Sequence, residues 1–315
     1  MLMLSDPGML ALLVVLAMVL DLLLGEARRW HPLAGFGNLA IRLERRLNRH
    51  RYRISKGALA WLLLIVPPVS CAAALIRLDG TAGAWIGAAV HVLLLYFSIG
   101  LRSLHDHLIP IADALEPHDL ALARVLTARV VSRDTADADA HALAKAAVES
   151  LLENGNDAVF GALFWFVVAG GPGALLYRLA NTLDAMWGYR TPRYLRFGRV
   201  SARIDDALNW LPARLTALSY ALLGQTGNAL HCWRTQAPDW PSPNAGPVMA
   251  AGAGALRRQL GGAASYDGVV EMRALLGNGP AASGVDIRRA WRLVALTSAL
   301  WVAVIASAGM FWWLR

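Results

Sequence analysis

The residues between Ser132 and Arg214 combine carboxylates, amides and arginines in a pattern that favours chemistry over simple packing. The carboxylates there are Asp134, Asp137, Asp139, Glu149, Glu153, Asp157, Asp184, Asp205 and Asp206, and the arginines among them include Arg133, Arg190, Arg193, Arg196, Arg199 and Arg203. An apolar segment of roughly the length that crosses a bilayer divides this set. Charges of both signs beside membrane-embedded helices are costly unless they pair or bind a ligand. The pattern therefore predicts an enzyme site held on a membrane scaffold.

Glu149 and Glu153 are four residues apart and share one face of a helix that we expect to run from about Ala138 to Glu153 and to stop at Gly155. Both acids fall in the last turns, where the helix dipole disfavours negative charge. Asn154, Asn156 and Asp157 follow at once. Oxygen ligands of this kind suit Mg²⁺ or a substrate ammonium group. The alternative is a solvated helix end followed by a polar turn.

Two further polar groups flank the next apolar segments. Asn181 and Asp184 end one of them, and Asp205, Asp206 and Asn209 stand at the head of another. Acids at the start of a helix suit its dipole, so capping explains one member of the Asp pair but not both. Ion pairing within the region, for example with Arg203, is the structural alternative to a ligand site.

The segment Ser242-Pro-Asn-Ala-Gly246 precedes Pro247 and a helix of very small residues. Pro247 fits a first helical turn, with Asn244 as a candidate cap. Free N–H groups at such a helix start can bind phosphate, whereas the alternative is a plain turn followed by close helix packing through Ala250 and Gly254. Elsewhere, His105-Asp106-His107 resembles half of a metal site, but no third ligand has helical spacing to it, which favours a solvated turn after a helix. The chain contains no P-loop, G-x-S-x-G or HExxH motif.

Composition indicates which elements position these groups. Hydrophobic residues make up 57% of the 315-residue chain, above the 45–50% that is usual for soluble proteins. Four continuous spans are predicted at 9–24, 58–76, 83–101 and 293–314. Two broken ones are predicted at 158–180, around Gly170–Gly173, and at 207–223. We therefore expect an all-α, multi-pass helical membrane protein with broken or re-entrant helices and a polar site at the cytoplasmic face. No strand pattern and no internal repeat stands out.

The distribution of basic residues predicts how the chain is oriented in the membrane. Residues 26–57 carry nine basic and two acidic side chains, so the positive-inside rule predicts a cytoplasmic loop there. A basic loop between apolar spans is a topology signal, and we expect no nucleic-acid partner. Residues 102–157 are predicted to form a soluble helical segment, and residues 225–291 a polar, Gly/Ala-rich segment. The whole chain, 1–315, is predicted to be a single integral-membrane domain.

Several blocks taken together resemble the CobD/CbiB family of cobalamin biosynthesis, the adenosylcobinamide-phosphate synthases. The blocks are DLLLGEARRWHPLAGFG at 21–37, SRDT at 132–135, ESLLENGNDAV at 149–159, ANTLDAMWGYR at 180–190, FGRVSARIDDALNWLPARLTAL at 197–218, SPNAG at 242–246, and LGG with Tyr266-Asp267-Gly268. Any one block is weak, whereas their order and spacing along nearly the whole chain are specific. The sequence departs from the family pattern at Gly155, Ala185 and Trp187.

The resemblance implies ATP-dependent amide ligation of adenosylcobyric acid, or cobyric acid, with (R)-1-amino-2-propanol O-2-phosphate. It also implies Mg²⁺ and ATP as cofactor and co-substrate. On that basis the expected catalytic residues are Glu149, Glu153, Asp157, Asp184 and Asp206, and Glu153, Asp157 and Asp184 are the expected metal ligands. Arg203, Asn244, Gly246 and Asn181 are expected to bind the phosphorylated co-substrates. The expected partners are the corrinoid, the aminopropanol phosphate and the lipid bilayer of the inner (cytoplasmic) membrane, and a homo-oligomer is compatible with the sequence.

Two other classes of protein remain open at this stage. A non-enzymatic membrane sensor of the AmpE type would share the scaffold, but should lack the ENxxD or SPNAG block. A secondary transporter would also use broken helices with central charges, and should show two matched halves.

Overall fold

The structure is a computed structural model, and it describes residues 6–26, 32–49, 51–78, 80–266 and 268–314. Its helices are α1 Pro7–Leu24, α2 Pro32–Leu47, α3 Arg53–Leu75, α4 Gly80–Ser98, α5 Leu101–Leu115, α6 Leu120–Thr127, α7 Ala140–Gly155, α8 Gly161–Trp187, α9 Arg199–Leu223, α10 Thr226–Gln236, α11 Ala245–Leu256 and α12 Gly284–Trp313. A π-helical turn, Asn156–Phe160, joins α7 to α8, and a short 3-10 turn, Ala237–Asp239, follows α10. Strands β1 Leu260–Tyr266 and β2 Val269–Leu276 form the one sheet among the described residues.

The protein is an all-α, multi-pass helical membrane protein. Five helical stretches in the described part of the chain are long and apolar enough to cross a membrane: Pro7–Leu24, Arg53–Leu75, Gly80–Leu115, Ala140–Trp187 and Gly284–Trp313. They include the four predicted continuous spans and the predicted broken one at 158–180. The predicted second broken span is not among them. Helix α9 runs without interruption through Pro212, and its charged residues lower its hydropathy.

The chain packs as two compact units. Unit 1 comprises residues 1–100, 161–209 and 302–315, and unit 2 comprises residues 101–160 and 210–301. Unit 1 contains helices α1–α4 and α8. Its core packs α2, α3 and α8 around the fully buried rings of Trp187 and Phe197, whose centroids are 5.0 Å apart. The amphipathic helix predicted inside the basic segment is α2, and its Leu43 and Leu47 pack against this core. Arg28 and Arg29 of that segment lie outside the described residues.

The predicted break in the apolar segment at 158–180 is confirmed. The backbone of α8 leaves helical geometry at Ala169 (φ −139°, ψ 17°) and Gly170 (φ 64°, ψ −156°). A positive φ of this kind favours glycine. The N–H of Gly171, which the break frees, donates a 2.8 Å hydrogen bond to Nδ1 of His91 on α4. A side chain from a neighbouring helix thus satisfies the backbone group that an apolar environment would penalise.

Unit 2 is built on helices α5–α7, α10 and α11, with the hairpin β1–β2. Helix α11 consists almost entirely of small residues and is buried from Ala245 to Leu256. Small side chains let helix backbones approach closely. Helix α11 therefore forms part of the packed core of unit 2. The predicted helix packing through Ala250 and Gly254 agrees with that burial.

The hairpin corrects the expectation that no strand would occur. Strand β1 pairs antiparallel with β2, and a β-bulge lies between Gly261 and Ala263. Gly261 and Gly262 both have positive φ, at 71° and 68°. Glycine and alanine have low strand propensity, so the sequence of β1 carries no alternating pattern from which a strand could be predicted. Asp134 holds the other end of the hairpin by accepting hydrogen bonds from the hydroxyl of Ser265 and the N–H of Gly268.

Candidate functional site

Helix α7 of unit 2 carries three charged side chains one turn apart, Lys145, Glu149 and Glu153. The carboxylate of Asp139 caps its start by accepting a 2.7 Å hydrogen bond from the N–H of Ala142. The α-helical geometry ends at Gly155, as predicted, but the helical backbone does not stop there and continues into the π-turn Asn156–Phe160. Residues four apart share a helix face, so the three charges form a row along one side of α7.

Glu149 lies at the centre of a charge cluster and is only 2% exposed. Its Oε2 forms ion pairs with Arg133 and, at 3.1 Å, with Arg273. Its Oε1 accepts a 2.7 Å hydrogen bond from the N–H of Gly261, at the base of the hairpin. A buried carboxylate is tolerated when paired and hydrogen-bonded in this way. Glu149 therefore holds two guanidinium groups and one end of β1 in place.

Glu153 lines a cavity of about 170 Å³ beside this cluster. The cavity is also lined by Val130, Val131, Ser132, Arg133, Ala146, Glu149, Ser150, Asn154, Met249, Tyr266 and Arg273. Glu153 is half-buried, and the described residues supply no hydrogen bond to its carboxylate. The guanidinium of Arg273 packs over the ring of Trp240, 5.2 Å from its centroid, which fixes one wall. The cavity thus presents one carboxylate without a hydrogen bond beside two positioned arginines.

Asp157 lies in the π-helical turn that follows α7. Its Oδ1 accepts a 2.8 Å hydrogen bond from the side-chain amide of Asn156, whose own carbonyl accepts one from the hydroxyl of Thr216 at 2.9 Å. A π-turn adds a residue to the helical turn and is common at functional sites. The polar run after Gly155 is therefore ordered helical backbone with bonded side chains, unlike the solvated turn that was one interpretation of the sequence.

The turn at 242–246 differs from its predicted form. Asn244 occupies the N-cap position of α11, but its side chain does not cap the helix. The hydroxyl of Ser242 accepts hydrogen bonds from the N–H groups of Asn244 and Ala245. The backbone carbonyl of Ser242 accepts a hydrogen bond from the N–H group of Gly246. The carbonyl of Asn244's side chain instead accepts a 2.9 Å hydrogen bond from Arg214. Because the backbone donors already have partners, the predicted phosphate role of Asn244 and Gly246 stays a prediction that would need these bonds to exchange.

The second acidic cluster belongs to unit 1. Asp205 is buried, and its two oxygens accept hydrogen bonds from the amides of Asn181 (3.3 Å) and Asn209 (3.2 Å). The hydroxyl of Tyr177 donates to the amide oxygen of Asn209 at 2.8 Å. These bonds connect α8 to the first part of α9. The Asn181 amide thus donates to the Asp205 carboxylate, a pairing that the sequence did not predict, and its role towards a phosphate stays a prediction.

Asp184 and Asp206 complete this cluster, because Asp184 lies within electrostatic range of both Asp205 and Asp206. Burial raises the pKa of the Asp206 carboxyl above its usual range, and the guanidinium groups of Arg203 and Arg190 offset part of that shift. The Arg203 side chain is exposed and close enough to Asp206 to act on its charge. Three gathered carboxylates with two flanking arginines favour binding of a cation together with an anionic group.

The described residues contain no group of three or more His, Cys, Asp or Glu side chains placed to hold a metal ion. Mg²⁺ commonly binds through one or two carboxylates, water and substrate phosphates, so a complete protein cage is not required. The oxygen donors of Asp184 and Asp206 in unit 1, and of Glu153 and Asp157 in unit 2, fit such a cation by their chemistry. Which of the predicted ligands Glu153, Asp157 and Asp184 bind it stays a prediction.

Sequence reasoning missed two members of the α7 cluster. Arg273 lies on β2, 124 residues after the Glu149 that it binds. No local spacing connects the two. Lys145 did carry a signal, because it precedes Glu149 by four residues on the same helix. Its ammonium group donates to the carbonyls of Gly261 (2.8 Å) and Ala263 (3.0 Å), so it also anchors β1.

Comparison with known proteins assigns the sequence to a family. A family model described as CobD/Cbib protein matches residues 14–294. The Cobalamin biosynthesis protein CobD of Stutzerimonas stutzeri is 54% identical over 94% of this chain and 97% of its own length. The proteins of that name from Chromobacterium violaceum and Mycobacterium tuberculosis are 52% and 40% identical, over 95% and 88% of this chain and 97% and 88% of their own lengths. No solved structure matches the chain. The chain therefore belongs to the CobD/Cbib family of cobalamin biosynthesis.

Proposed function

We propose that the protein is an ATP-dependent ligase that joins adenosylcobyric acid, or cobyric acid, to (R)-1-amino-2-propanol O-2-phosphate through an amide bond. The observation that carries this proposal is the cavity beside Glu149. There a carboxylate without a hydrogen bond, Glu153, lies beside two arginines that the buried Glu149 holds in position. Arginine matches phosphate oxygens with its planar fork, and a carboxylate can accept a proton from an ammonium group. Both are needed to bring an aminoalcohol phosphate to reaction.

The proposed reaction has two steps. The corrinoid carboxylate first attacks the terminal phosphorus of ATP, forming an acyl phosphate and releasing ADP. The amine nitrogen then attacks the acyl carbon, the bond from that carbon to the phosphate oxygen breaks, and inorganic phosphate leaves. The amine must lose one proton to become nucleophilic and a second as the amide forms.

Within unit 2 we assign the proton transfer to Glu153. Arg133 and Arg273 are assigned to the phosphate of the aminoalcohol, and Glu149 is a positioning residue that holds them. Glu153, Asp157 and Asp184 remain the predicted ligands of Mg²⁺, which when bound would neutralise phosphoryl oxygens, and Asp206 remains a predicted catalytic residue. Asn181, Arg203, Asn244 and Gly246 remain assigned to the phosphorylated co-substrates.

The apolar helices support a place in the cytoplasmic membrane, with the polar groups on the cytoplasmic side where ATP is found. The basic residues of the 26–57 segment support this orientation through the positive-inside rule. The lipid bilayer, the corrinoid and the aminoalcohol phosphate are the proposed partners, and a homo-oligomer would be compatible with the proposal.

The test is turnover by the purified full-length protein with adenosylcobyric acid, Mg²⁺, ATP and the aminoalcohol phosphate, with the amide product measured by mass spectrometry. We expect product only when all components are present, together with one ADP for each amide. Product formation that needs no nucleotide would refute the ATP requirement. Corrinoid binding without any product would favour the sensor alternative, and net movement of corrinoid across a vesicle membrane would favour the transporter.

A further inference from the structure

A second cavity in unit 2 has no role in the proposed reaction so far. It measures about 320 Å³ and is lined by the Gly261 bulge, whose N–H binds Glu149. Its walls are largely apolar or backbone: Ala142, Leu260, Gly261, Gly262, Ala263, Leu275, Ala281 and Ala282. Four polar side chains also line it, namely Asp139, His141, Lys145 and Gln259. Apolar walls with a few polar groups are typical of small-molecule sites.

Lys145 links this cavity to the Glu149 cluster. Its ammonium has three N–H donors, of which two bind the carbonyls of Gly261 and Ala263. The described residues supply no acceptor for the third. The next turn of α7 towards its C-terminus carries Glu149, and the preceding turn carries His141, whose Nδ1 lies 3.0 Å from the carbonyl of Ala282. The positively charged ammonium group of Lys145 thus lines the second cavity and has one N–H donor without an acceptor among the described residues.

The N-terminus of α7 also favours an anionic ligand in this cavity. The cavity lies at the first turn of α7, where the helix dipole is positive. Asp139 opposes this with its own charge, but it is exposed and its carboxylate already caps the N–H of Ala142. Phosphate oxygens at the Lys145 end would therefore meet a lysine and a helix N-terminus.

The two cavities differ in volume and therefore in the size of the ligand that each can bind. Drug-sized ligands occupy sites of about 300–1,000 Å³. The Lys145 cavity reaches that range, whereas the Glu149 cavity, at about 170 Å³, suits a small ligand such as the aminoalcohol phosphate. We propose that the Lys145 cavity binds the adenine nucleotide, with the base and ribose against the Ala142 and Leu275 walls and the phosphates directed to Lys145. This inference rests on the proposed ATP requirement.

Binding of a fluorescent, non-hydrolysable ATP analogue with Mg²⁺ to the full-length protein in nanodiscs tests the proposal without turnover. Ala142→Leu fills the cavity and leaves the Lys145 hydrogen bonds in place. Lys145→Met removes the charge. Both should raise the Kd for the analogue by about 10- to 100-fold, as expected for loss of a charge-assisted contact or of space. The matched control is Ala121→Leu, the same change at an exposed position of α6, which should leave the Kd within twofold.

The readouts separate this subsite from the proposed function. We expect the KM for ATP to rise in Ala142→Leu while the KM for the aminoalcohol phosphate stays unchanged. If the wild type forms the amide with ATP and Ala142→Leu, folded by its melting curve, binds the analogue normally, the subsite is refuted and the function stands. If the analogue binds with the expected sensitivity to Ala142→Leu but no amide forms, the subsite stands and the proposed function is refuted.

Discussion

The same substitution at the two glutamates of α7 should lower activity in both cases but should lower stability only at Glu149. Glu149→Gln removes the charge that two half-buried arginines share and weakens the acceptor of the Gly261 N–H. Breaking a buried ion pair from one side costs about 3–5 kcal/mol, because the partner charges stay buried without compensation. We therefore expect a large loss of thermal stability in Glu149→Gln, together with loss of activity.

Glu153→Gln should instead preserve the fold. Its carboxylate has no hydrogen bond from the described residues, so the free energy of unfolding should change by less than about 1 kcal/mol. If Glu153 accepts the ammonium proton, kcat should fall by about 10²- to 10⁴-fold, the range that general base catalysis contributes. Asp137→Asn, at an exposed acid of the same unit, is the matched control and should change neither quantity.

The assay is amide formation measured at saturating substrates beside a melting curve for each variant in the same detergent or nanodisc. A fall in kcat without a fall in melting temperature for Glu153→Gln, and a fall in both for Glu149→Gln, would support the assignments. Near-normal turnover in Glu153→Gln would remove this residue from the chemistry. A stable Glu149→Gln variant would contradict the idea that this carboxylate holds the arginines.

Three further predictions concern unit 1 and the topology. Burial would raise the pKa of Glu44, but hydrogen bonds, chiefly from Arg193, outweigh it and hold the pKa below its usual range. The stability that this pair contributes should therefore be present above the usual carboxyl range and be lost as the pH falls through the lowered pKa; melting curves of Glu44→Gln should lack that acid-dependent part. Arg203→Lys should raise the KM for the aminoalcohol phosphate more than that for the corrinoid, and unchanged constants would remove Arg203 from the site. Cysteines introduced at the exposed positions Arg190 and Pro243 should both be labelled from the cytoplasmic side, whereas labelling from opposite sides would contradict a single-face site.

Local sequence signals predicted the helical scaffold and the ends of individual helices well. Apolar runs of spanning length are specified residue by residue, so the five long apolar helices follow from hydropathy alone. The break at Gly170 has an equally local cause, since glycine favours the positive φ found there. The grouping of Asp205 with Asn209 also follows from helical spacing.

Contacts between distant segments could not be predicted in the same way. Nothing near Glu149 in the sequence points to Arg273, and the hairpin that carries this arginine begins in a Gly/Ala-rich segment without strand propensity. At the 242–246 turn, Ser242 and not Asn244 supplies the side-chain acceptor, because Arg214 engages the Asn244 side chain. The role of Asn244 is set by its hydrogen bond with Arg214, which lies 30 residues away in the chain. The local sequence around Asn244 does not indicate this partner.

The bond from the Gly261 N–H to Glu149 makes the base of the hairpin and the arginine cluster a single cooperative unit. If β1 lifts away, Glu149 loses a hydrogen-bond donor, Arg273 moves with β2, and Lys145 loses both carbonyl partners. Local opening of this kind would be observable as faster hydrogen exchange at the Gly261 amide. Insertions near Gly268 at the turn should be tolerated more readily than any change of register at the Gly261 bulge. Selection on the hairpin should thus act mainly on its base, where strand pairing and charge placement cannot vary independently.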